Sequence, residues 1–427
     1  MLSTAAVTVL LVTTVTAYLD VHQCSSMGLT EDERLSVLTM YNIARLKAAR
    51  GIYFPGNKLP TAKNMRALTW DCELENLAEK AVFSCPDAET PRKDYAQHFR
   101  HMIANVPDKV SALEPIVQPT EDPSEGFTTE SSSVVYNGNS IYRSYANLMR
   151  SSTTKMGCSV RVCEGKGVLV QTGICLFNTP EMEKGDKVYE VGKSCETAEE
   201  CPNGDDVCIG RGLCYRNKFA KRALHLHNKR RSDLALGNVK DKSGKNFPTT
   251  ALMSAMEISF NLEAQALKKA RNWEHDPTGF SSHQYSPNDV WTSRIVVQNA
   301  VDEIDALEQA LKTWWNQRKL VDDQVKKKLF ENAFLQPAVM EFAQMAYGDN
   351  NVVGCAADKR GNQYNVVCQY YVGPCGSKLE DCYAPLYVPG PKCQQCYSTG
   401  RPCSQGMCPG LYGGSYLVFT DMIRFFT

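Results

Sequence analysis

Charge of either sign is not in surplus in this sequence, which has 47 Lys and Arg residues and 47 Asp and Glu residues. The formal net charge is +0, so a general attraction to nucleic acid or acidic lipid is not expected. After the first 17 residues, no run reaches the roughly 18 uncharged apolar residues of a membrane-spanning helix. The sequence also lacks an Asn-x-Ser/Thr sequon, a Gly-x-Ser-x-Gly motif and a Walker-type loop. N-glycosylation, a nucleophile elbow and a P-loop are therefore not expected.

Cysteine, in contrast, is abundant, with 18 residues that fall mostly in clusters. This pattern is typical of an oxidising compartment, where disulfides persist. Residues 1–17 are uncharged and apolar and end in Val15-Thr16-Ala17, which predicts a cleaved signal peptide. The alternative is an N-terminal anchor helix, but the apolar run is too short to span a bilayer. We therefore expect a secreted, extracellular protein.

The chain contains an internal repeat. Tyr189-x-x-Gly192-x-x-Cys195 returns as Tyr387-x-x-Gly390-x-x-Cys393, and Tyr41-Asn42-x-x-Arg45 returns as His227-Asn228-x-x-Arg231. The repeat is much longer than the roughly 50 residues of solenoid repeats, so it indicates a duplicated domain. The expected organisation is a signal peptide (1–17), unit one (18–188), a cysteine-rich linker module (189–214), unit two (215–374) and a cysteine-rich C-terminal extension (375–427).

Each repeat has helical patterns first, then short strands and then a cysteine-rich tail, which favours an α+β fold. Thr30-x-x-Glu33 predicts a capping box at the start of the first helix. Residues 107–133 are rich in Pro, Ser, Thr and acid, which predicts a long loop that leaves one side of unit one open. In unit two, a helix is expected over Val301–Leu320 instead. An apolar stripe predicts a second helix in unit one, formed by Trp70, Leu74, Leu77, Ala78 and Ala81.

Three signatures together resemble the CAP superfamily of cysteine-rich secretory proteins, antigen 5 and pathogenesis-related proteins. Residues 344–347 followed by Val353-Gly354-Cys355 are similar to its Gly-His-[Phe/Tyr]-Thr-Gln signature, and residues 366–370 are similar to its second signature. The His227-Asn228-x-x-Arg231 helix resembles the family's first helix. Two units in tandem resemble the double-domain activation-associated secreted proteins, or venom allergen-like proteins, of parasitic nematodes. The resemblance implies two α-β-α sandwiches, each followed by a small disulfide-rich, hinge-like module.

Metal-binding members of this family have two His and two acidic residues in a central cleft. In this sequence, the second His position falls on Glu341 in unit two and on Ser144 in unit one. The first acidic position falls on Gln298 in unit two and on Ala104 in unit one. The second acidic position falls on Gln317 in unit two. Imidazole and carboxylate are ordinary zinc ligands, but few of them remain at these positions.

The remaining candidates for the first His position are His98, His101 and His283. A lone His in a polar loop is more often solvated than a metal ligand. His225 and His227 are two residues apart on a predicted helix, so their side chains should point in different directions. We therefore expect no metal, no cofactor and no catalytic residue, and hence no enzyme.

The repeat also predicts part of the disulfide pattern. Cys158 and Cys175 correspond to Cys355 and Cys368, so each pair should form a bridge. The family resemblance implies Cys24–Cys72 and Cys85–Cys163, and Cys375–Cys382 is added as a local pair. Each four-cysteine tail allows three pairings. The interleaved pairings are favoured, namely Cys195–Cys208 with Cys201–Cys214, and Cys393–Cys403 with Cys396–Cys408.

Two functions remain open at this stage. The first is a non-enzymatic secreted protein that acts through its surface on a protein partner, including one of a host. The second is a carrier of sterol or fatty acid, since some relatives bind such lipids. Core residues and ligand-lining residues look alike in sequence, so the helical patterns do not separate them. A basic cluster on the His227 helix could bind an anionic partner, but a solvated helix start is the more common reading.

Overall fold

The computed structural model describes residues 24–25, 28–52, 59–104, 108–115, 123–165, 168–204, 206–273, 290–331, 337–371, 385–396 and 403–409. The signal-peptide prediction, His283 and the predicted Cys375–Cys382 bridge lie outside these residues. Within them, helices come first in each unit and a β-sheet follows. None of the described helices is both long and apolar enough to cross a membrane.

Unit one has three helices and a four-stranded sheet of order β1-β5-β6-β2, with a separate three-stranded sheet β3-β4-β7. Helix α2 packs on β5 and β6 through Leu74, Ala78 and Val82, and α1 and α3 belong to the larger core. The elements are α1 (Glu31–Ala49), β1 (Thr69–Trp70), α2 (Cys72–Val82), β2 (Gln97–Ala104), β3 (Phe127–Thr129), β4 (Ser133–Tyr136), α3 (Arg143–Met149), β5 (Lys155–Gly165), β6 (Val168–Phe177) and β7 (Lys187–Glu190).

The linker module forms the hairpin β8 (Asp206–Ile209) and β9 (Leu213–Arg216), and unit two repeats the layout of unit one. Its strands continue the hairpin into a six-stranded sheet of order β12-β14-β13-β11-β8-β9. Strands β10 and β15 pair separately. The elements are α4 (Lys218–Ala235), β10 (Thr250–Leu252), β11 (Glu257–Ile258), α5 (Phe260–Arg271), β12 (Trp291–Gln298), α6 (Glu303–Asn316), α7 (Asp323–Phe330), α8 (Met340–Ala346), β13 (Val352–Arg360), β14 (Gln363–Tyr370) and β15 (Val388–Pro389).

The first helix of each unit begins with a side-chain cap. Thr30 accepts a hydrogen bond from the Glu33 amide, and Glu33 accepts one from the Thr30 amide, which is the predicted capping box. Asn217 caps α4 by accepting from the Ala220 amide. The caps satisfy amides that have no partner within a helix.

The Arg of the repeated Asn-x-x-Arg motif is fully buried in both units. Arg231 donates to the backbone carbonyls of Ser254, Met345, Tyr347, Gly348 and Asn350. Arg45 donates in the same way to carbonyls of Arg66, Leu148, Arg150 and Thr153. The guanidinium therefore connects the first helix of each unit to the end of a short helix and the loop that follows it, which is α3 in unit one and α8 in unit two.

The hairpin β8–β9 contacts both units. In β9, Cys214 exchanges backbone hydrogen bonds with Met65 and Ala67 of unit one. In β8, Ile209 pairs in parallel with Ile258 of unit two. Cys408 makes the same two hydrogen bonds with Met253 and Ala255, so the second tail docks on unit two as the first docks on unit one. Ion pairs Lys268–Asp32 and Arg211–Glu257 also cross from unit two to residues before it.

Eight disulfides lie among the described cysteines, and each is a pair named from the sequence. They are Cys24–Cys72, Cys85–Cys163, Cys158–Cys175, Cys195–Cys208, Cys201–Cys214, Cys355–Cys368, Cys393–Cys403 and Cys396–Cys408. Cys158–Cys175 and Cys355–Cys368 join directly opposed residues of antiparallel strands.

Two sequence predictions in unit one were wrong in detail. Trp70 lies in β1 rather than on α2, because Asp71 caps that helix and accepts from the Glu73 and Leu74 amides. The segment 107–133 is also not simply an open loop. Its residues 111–113 form a 3-10 turn in which Ala112 and Leu113 are buried. The turn packs against the sheet, since a Cβ on Gly173 would lie 2.3 Å from the Ala112 carbonyl oxygen.

Candidate functional site

In unit two, the structure brings two of the predicted tetrad positions into contact. Glu341 lies in the first turn of α8, and its side chain is only 7% exposed. Gln317 follows α6, and its Nε2 donates to Glu341 Oε2 at 2.5 Å. The Oε1 of Gln317 accepts from the Phe342 amide at 3.0 Å, which fixes the orientation of the side-chain amide. The Glu341 carboxylate is therefore held by a neutral donor.

The other two positions of unit two do not join this contact. Gln298 is exposed at the end of β12. His283 lies outside the described residues. Among the described tetrad positions, unit two thus offers one carboxylate and no imidazole.

Beneath Glu341 lies a buried pair that joins α4 to the sheet. The His227 Nδ1 lies 2.8 Å from the Ala223 carbonyl oxygen, which only accepts, so Nδ1 carries the proton. The His227 Nε2 then accepts from the Tyr370 hydroxyl at 2.9 Å. Burial lowers the pKa of His227 to about 3, so the imidazole is neutral at physiological pH. His225, two residues earlier, is exposed, as its spacing predicts.

In unit one, Ser144 at the second His position contacts a different imidazole. The His98 Nδ1 lies 2.7 Å from Ser144 Oγ, and the His98 side chain is 3% exposed. Its Nε2 and the Tyr41 hydroxyl are buried without a hydrogen-bond partner in the described part of the chain. Burial, followed by the nearby Arg100 guanidinium, lowers the pKa of His98 to about 4. Such a weak base is poorly suited to activate Ser144 as a nucleophile.

The remaining candidates of unit one do not converge on His98. His101 is three residues further along β2, which places it on the other face of the sheet, where it hydrogen-bonds Thr172 Oγ1 at 3.0 Å. Ala104 is the last residue of β2. Unit one therefore has one buried imidazole at the site and no carboxylate beside it among the described tetrad positions.

Sequence reasoning missed the pairs His227–Tyr370 and His98–Ser144. The repeat contained a hint of these pairs. When the two Asn-x-x-Arg motifs are aligned, Tyr41 of unit one corresponds to His227 of unit two. His98 pairs with Cys175 in unit one, and Ser293 pairs with the equivalent Cys368 in unit two. His98 therefore corresponds to Ser293. One imidazole thus lies between the first helix and the sheet in each unit, but it comes from a different element.

Comparison with known proteins decides the family. The model of the cysteine-rich secretory protein family, CAP, matches residues 38–177 and 224–370, which is more than half of the chain. The chain belongs to the CAP family.

Similar CAP proteins include the Ancylostoma secreted protein of Ancylostoma caninum, which is 26% identical over 90% of this chain and 93% of its own length. Hookworm platelet inhibitor 1 of the same species is 28% identical over 34% of this chain and 71% of its own length. The crystal structure of Na-ASP-1 aligns over 90% of this chain and 99% of its own, at 25% identity and a TM-score of 0.39. The two regions that match the CAP model make this chain a double-domain CAP protein, and it resembles the secreted and venom allergen-like members of the family.

The residues at the CAP tetrad positions do not fit zinc. Zinc sites are built from Cys thiolate, His and carboxylate ligands, usually three or four of them. Gln298 and Gln317 supply amides, and Glu341 supplies the one carboxylate, which is already hydrogen-bonded. The described units therefore do not assemble a zinc site at these positions.

In the part of the chain that the structure describes, three other groups of side chains lie close enough to hold an ion. Each contains cysteines that are joined in disulfides, so no thiolate is available for a metal. The groups are Cys195, Cys201 and Cys214; His227, Cys355 and Cys368; and Cys393, Cys396 and Cys403.

The basic cluster on α4 is mostly used within the fold. Arg231 is buried and donates to backbone carbonyls, and Arg222 pairs with Glu308 at 2.6 Å. Lys221 donates to the Gly204 carbonyl. Because these side chains bind other groups of the same protein, the cluster is better explained as part of the fold than as an anion-binding surface.

Proposed function

We propose that this CAP protein is a secreted, non-enzymatic protein that acts through its surface on a protein partner, at the interface between a parasite and its host. The relatives support secretion, since they include a secreted protein and a platelet inhibitor of Ancylostoma caninum. The single observation that carries the non-enzymatic part is the Gln317–Glu341 contact. Gln317 has an amide at the position where the family resemblance expects the second acidic residue of metal-binding members.

The arrangement of unit one supports the same proposal. His98 has a pKa near 4, and a general base works best when its pKa is near the working pH. Ser144 is therefore a hydrogen-bond partner of a structural imidazole rather than a nucleophile. Function would then depend on loops and surfaces that the two disulfide-crosslinked units hold in place.

Zinc titration by calorimetry into the chelator-treated full chain tests the non-enzymatic part. We expect no micromolar binding at either unit. The double variant Gln317→Glu/Glu341→His serves as the comparison, because it puts one carboxylate and one imidazole at contacting positions. It should bind zinc more tightly than the unchanged chain.

Micromolar binding by the unchanged chain that is lost in Glu341→Ala would contradict the proposal and support a metal-dependent activity. A second arm uses labelled cholesterol and a labelled fatty acid with the same preparation. Saturable binding of either would favour the carrier function over the surface function.

A further inference from the structure

The sequence contains two Asn-Gly pairs, Asn137-Gly138 and Asn203-Gly204. A glycine after asparagine has no Cβ, so its amide nitrogen can approach the side-chain carbonyl carbon of the asparagine. The two pairs lie in different surroundings. Asn137-Gly138 follows β4 in unit one, and Asn203-Gly204 lies in the linker module before β8.

The surroundings of Asn203 leave this approach open. Both Asn203 and Gly204 are exposed, and a Cβ on Gly204 would meet no atom within 4 Å. The Asn203 carbonyl accepts from the Asp206 amide at 3.0 Å. This hydrogen bond withdraws electron density from the Asn203–Gly204 peptide and makes its N–H more acidic. The Asn203 side chain is held by one hydrogen bond, from Nδ2 to Asp206 Oδ2 at 3.2 Å. The Lys221 ammonium donates to the Gly204 carbonyl, which leaves the Gly204 nitrogen and the Asn203 side chain uncovered.

The surroundings of Asn137 hold its side chain away from the next amide. Its Oδ1 accepts from the Asn139 amide at 3.0 Å, and its Nδ2 donates to the Glu125 carbonyl at 2.6 Å. The Lys184 side chain also packs against Gly138, since a Cβ there would lie 3.0 Å from Lys184 Cβ. Both polar atoms of Asn137 must therefore be released before cyclisation.

We propose that Asn203 is a site of spontaneous deamidation, a covalent modification that goes beyond the proposed function. Hydroxide removes the Gly204 N–H proton, and the nitrogen attacks Asn203 Cγ to form the new C–N bond. The C–Nδ2 bond then breaks as Nδ2 takes a proton from water and leaves as ammonia. Water then opens the cyclic imide to aspartate or isoaspartate. The net reaction consumes one water and converts a neutral amide into a carboxylate, with no oxidant or metal required.

The modification changes the charge at the joint between the units. The Asp206 side chain is 0% exposed, and its carboxylate lies 3.5 Å from Arg66 Nη2 of unit one. Deamidation replaces the Nδ2 donor with a second carboxylate that faces Asp206. Because a buried carboxylate depends on its donors, β8 and its contact with Arg66 should loosen in the modified molecule.

Peptide mapping of the full chain after incubation at neutral and mildly alkaline pH tests the site. We expect Asn203 to deamidate roughly fivefold faster than Asn137, the ratio given by one additional hydrogen bond of about 1 kcal/mol. Both rates should increase with pH, because the nucleophile is the deprotonated amide. Gly204→Ala fits the open space and should slow Asn203 without changing Asn137. An equal or faster rate at Asn137, or no slowing in Gly204→Ala, would overturn the proposal.

The consequence is tested separately with two fixed variants. Asn203→Asp places the acid directly, and Asn203→Gln keeps an amide that cyclises slowly. Hydrogen exchange of β8 and β9 peptides should be faster in Asn203→Asp than in Asn203→Gln. Equal protection from exchange in the two variants would refute the loosening of β8. The deamidation itself is tested by the peptide mapping, independently of this result.

Discussion

Glu263 is a buried carboxyl with no ion-pair partner among the described residues, and it predicts an unusual pH dependence of stability. It lies on α5, is 5% exposed, and its Oε2 has no hydrogen-bond partner in the described part of the chain. Its Oε1 accepts from Asn217 Nδ2 at 3.3 Å. The equivalent residue of unit one, Glu75, instead pairs with Arg34 and accepts from the Trp70 indole at 2.7 Å.

Burial raises the pKa of Glu263 from 4.5 to about 8. The folded state therefore keeps the proton that the unfolded state loses above about pH 4.5. The associated stability is fully present below this pH, decreases as the pH rises, and is lost once the pH passes the folded pKa. At about 1.4 kcal/mol per pH unit, the cost at pH 7 is about 3 kcal/mol.

Glu263→Gln removes the titration while keeping the shape of the protonated acid. We expect it to stabilise unit two by up to about 3 kcal/mol at pH 7 and by little at about pH 4. Hydrogen exchange at graded urea concentrations, read on α5 and α2 peptides, separates the two units. A stability gain that is the same at both pH values would refute the reasoning.

The matched control is Glu75→Gln. It leaves the buried Arg34, which is 5% exposed, without its carboxylate. We expect a loss of about 3–5 kcal/mol in unit one, because Arg34 stays buried after its carboxylate partner has been removed. The same substitution at equivalent positions should thus have opposite signs.

Three further outcomes are expected. Gly354→Ala should destabilise unit two by about 3 kcal/mol or more, because a Cβ there would lie 2.2 Å from the Glu263 amide nitrogen, whereas Gly204→Ala should leave the thermal midpoint nearly unchanged. Arg231→Lys should lower the thermal midpoint by several degrees, because a single ammonium cannot reach all the carbonyls that the guanidinium binds. Lys229→Arg, on the exposed face of the same helix, should leave the thermal midpoint unchanged. Lowering the pH from about 6.5 to 5 should reduce the free energy of unfolding by about 2 kcal/mol through His227, because its pKa is lower in the folded state than in the unfolded state. In denaturant unfolding, His227→Phe should lose less stability over the same pH change.

The sequence by itself determined the features that depend on neighbouring residues or on the repeat. The Thr30–Glu33 capping box needs only residues three apart, so its pattern was readable directly. The duplication was equally direct, because the Asn-x-x-Arg motif of the first helix and the Tyr-x-x-Gly-x-x-Cys motif each return with the same internal spacing. The family followed from three short signatures, at residues 227–231, 344–355 and 366–370, and the CAP family model matches the regions that contain them.

The tertiary structure decided which polar groups meet. Gln317 and Glu341 are 24 residues apart, His98 and Ser144 are 46 apart, and His227 and Tyr370 are 143 apart. Whether such groups touch depends on how helices pack on the sheet, which no local pattern encodes. The packing also set the environment of Glu75 and Glu263, since only in unit one does the first helix bring an arginine to the buried carboxyl. Likewise, the linker cysteines indicated a stapled module, but the pairing of Ile209 with Ile258, which makes the hairpin part of the second sheet, arises from the contact between the two units.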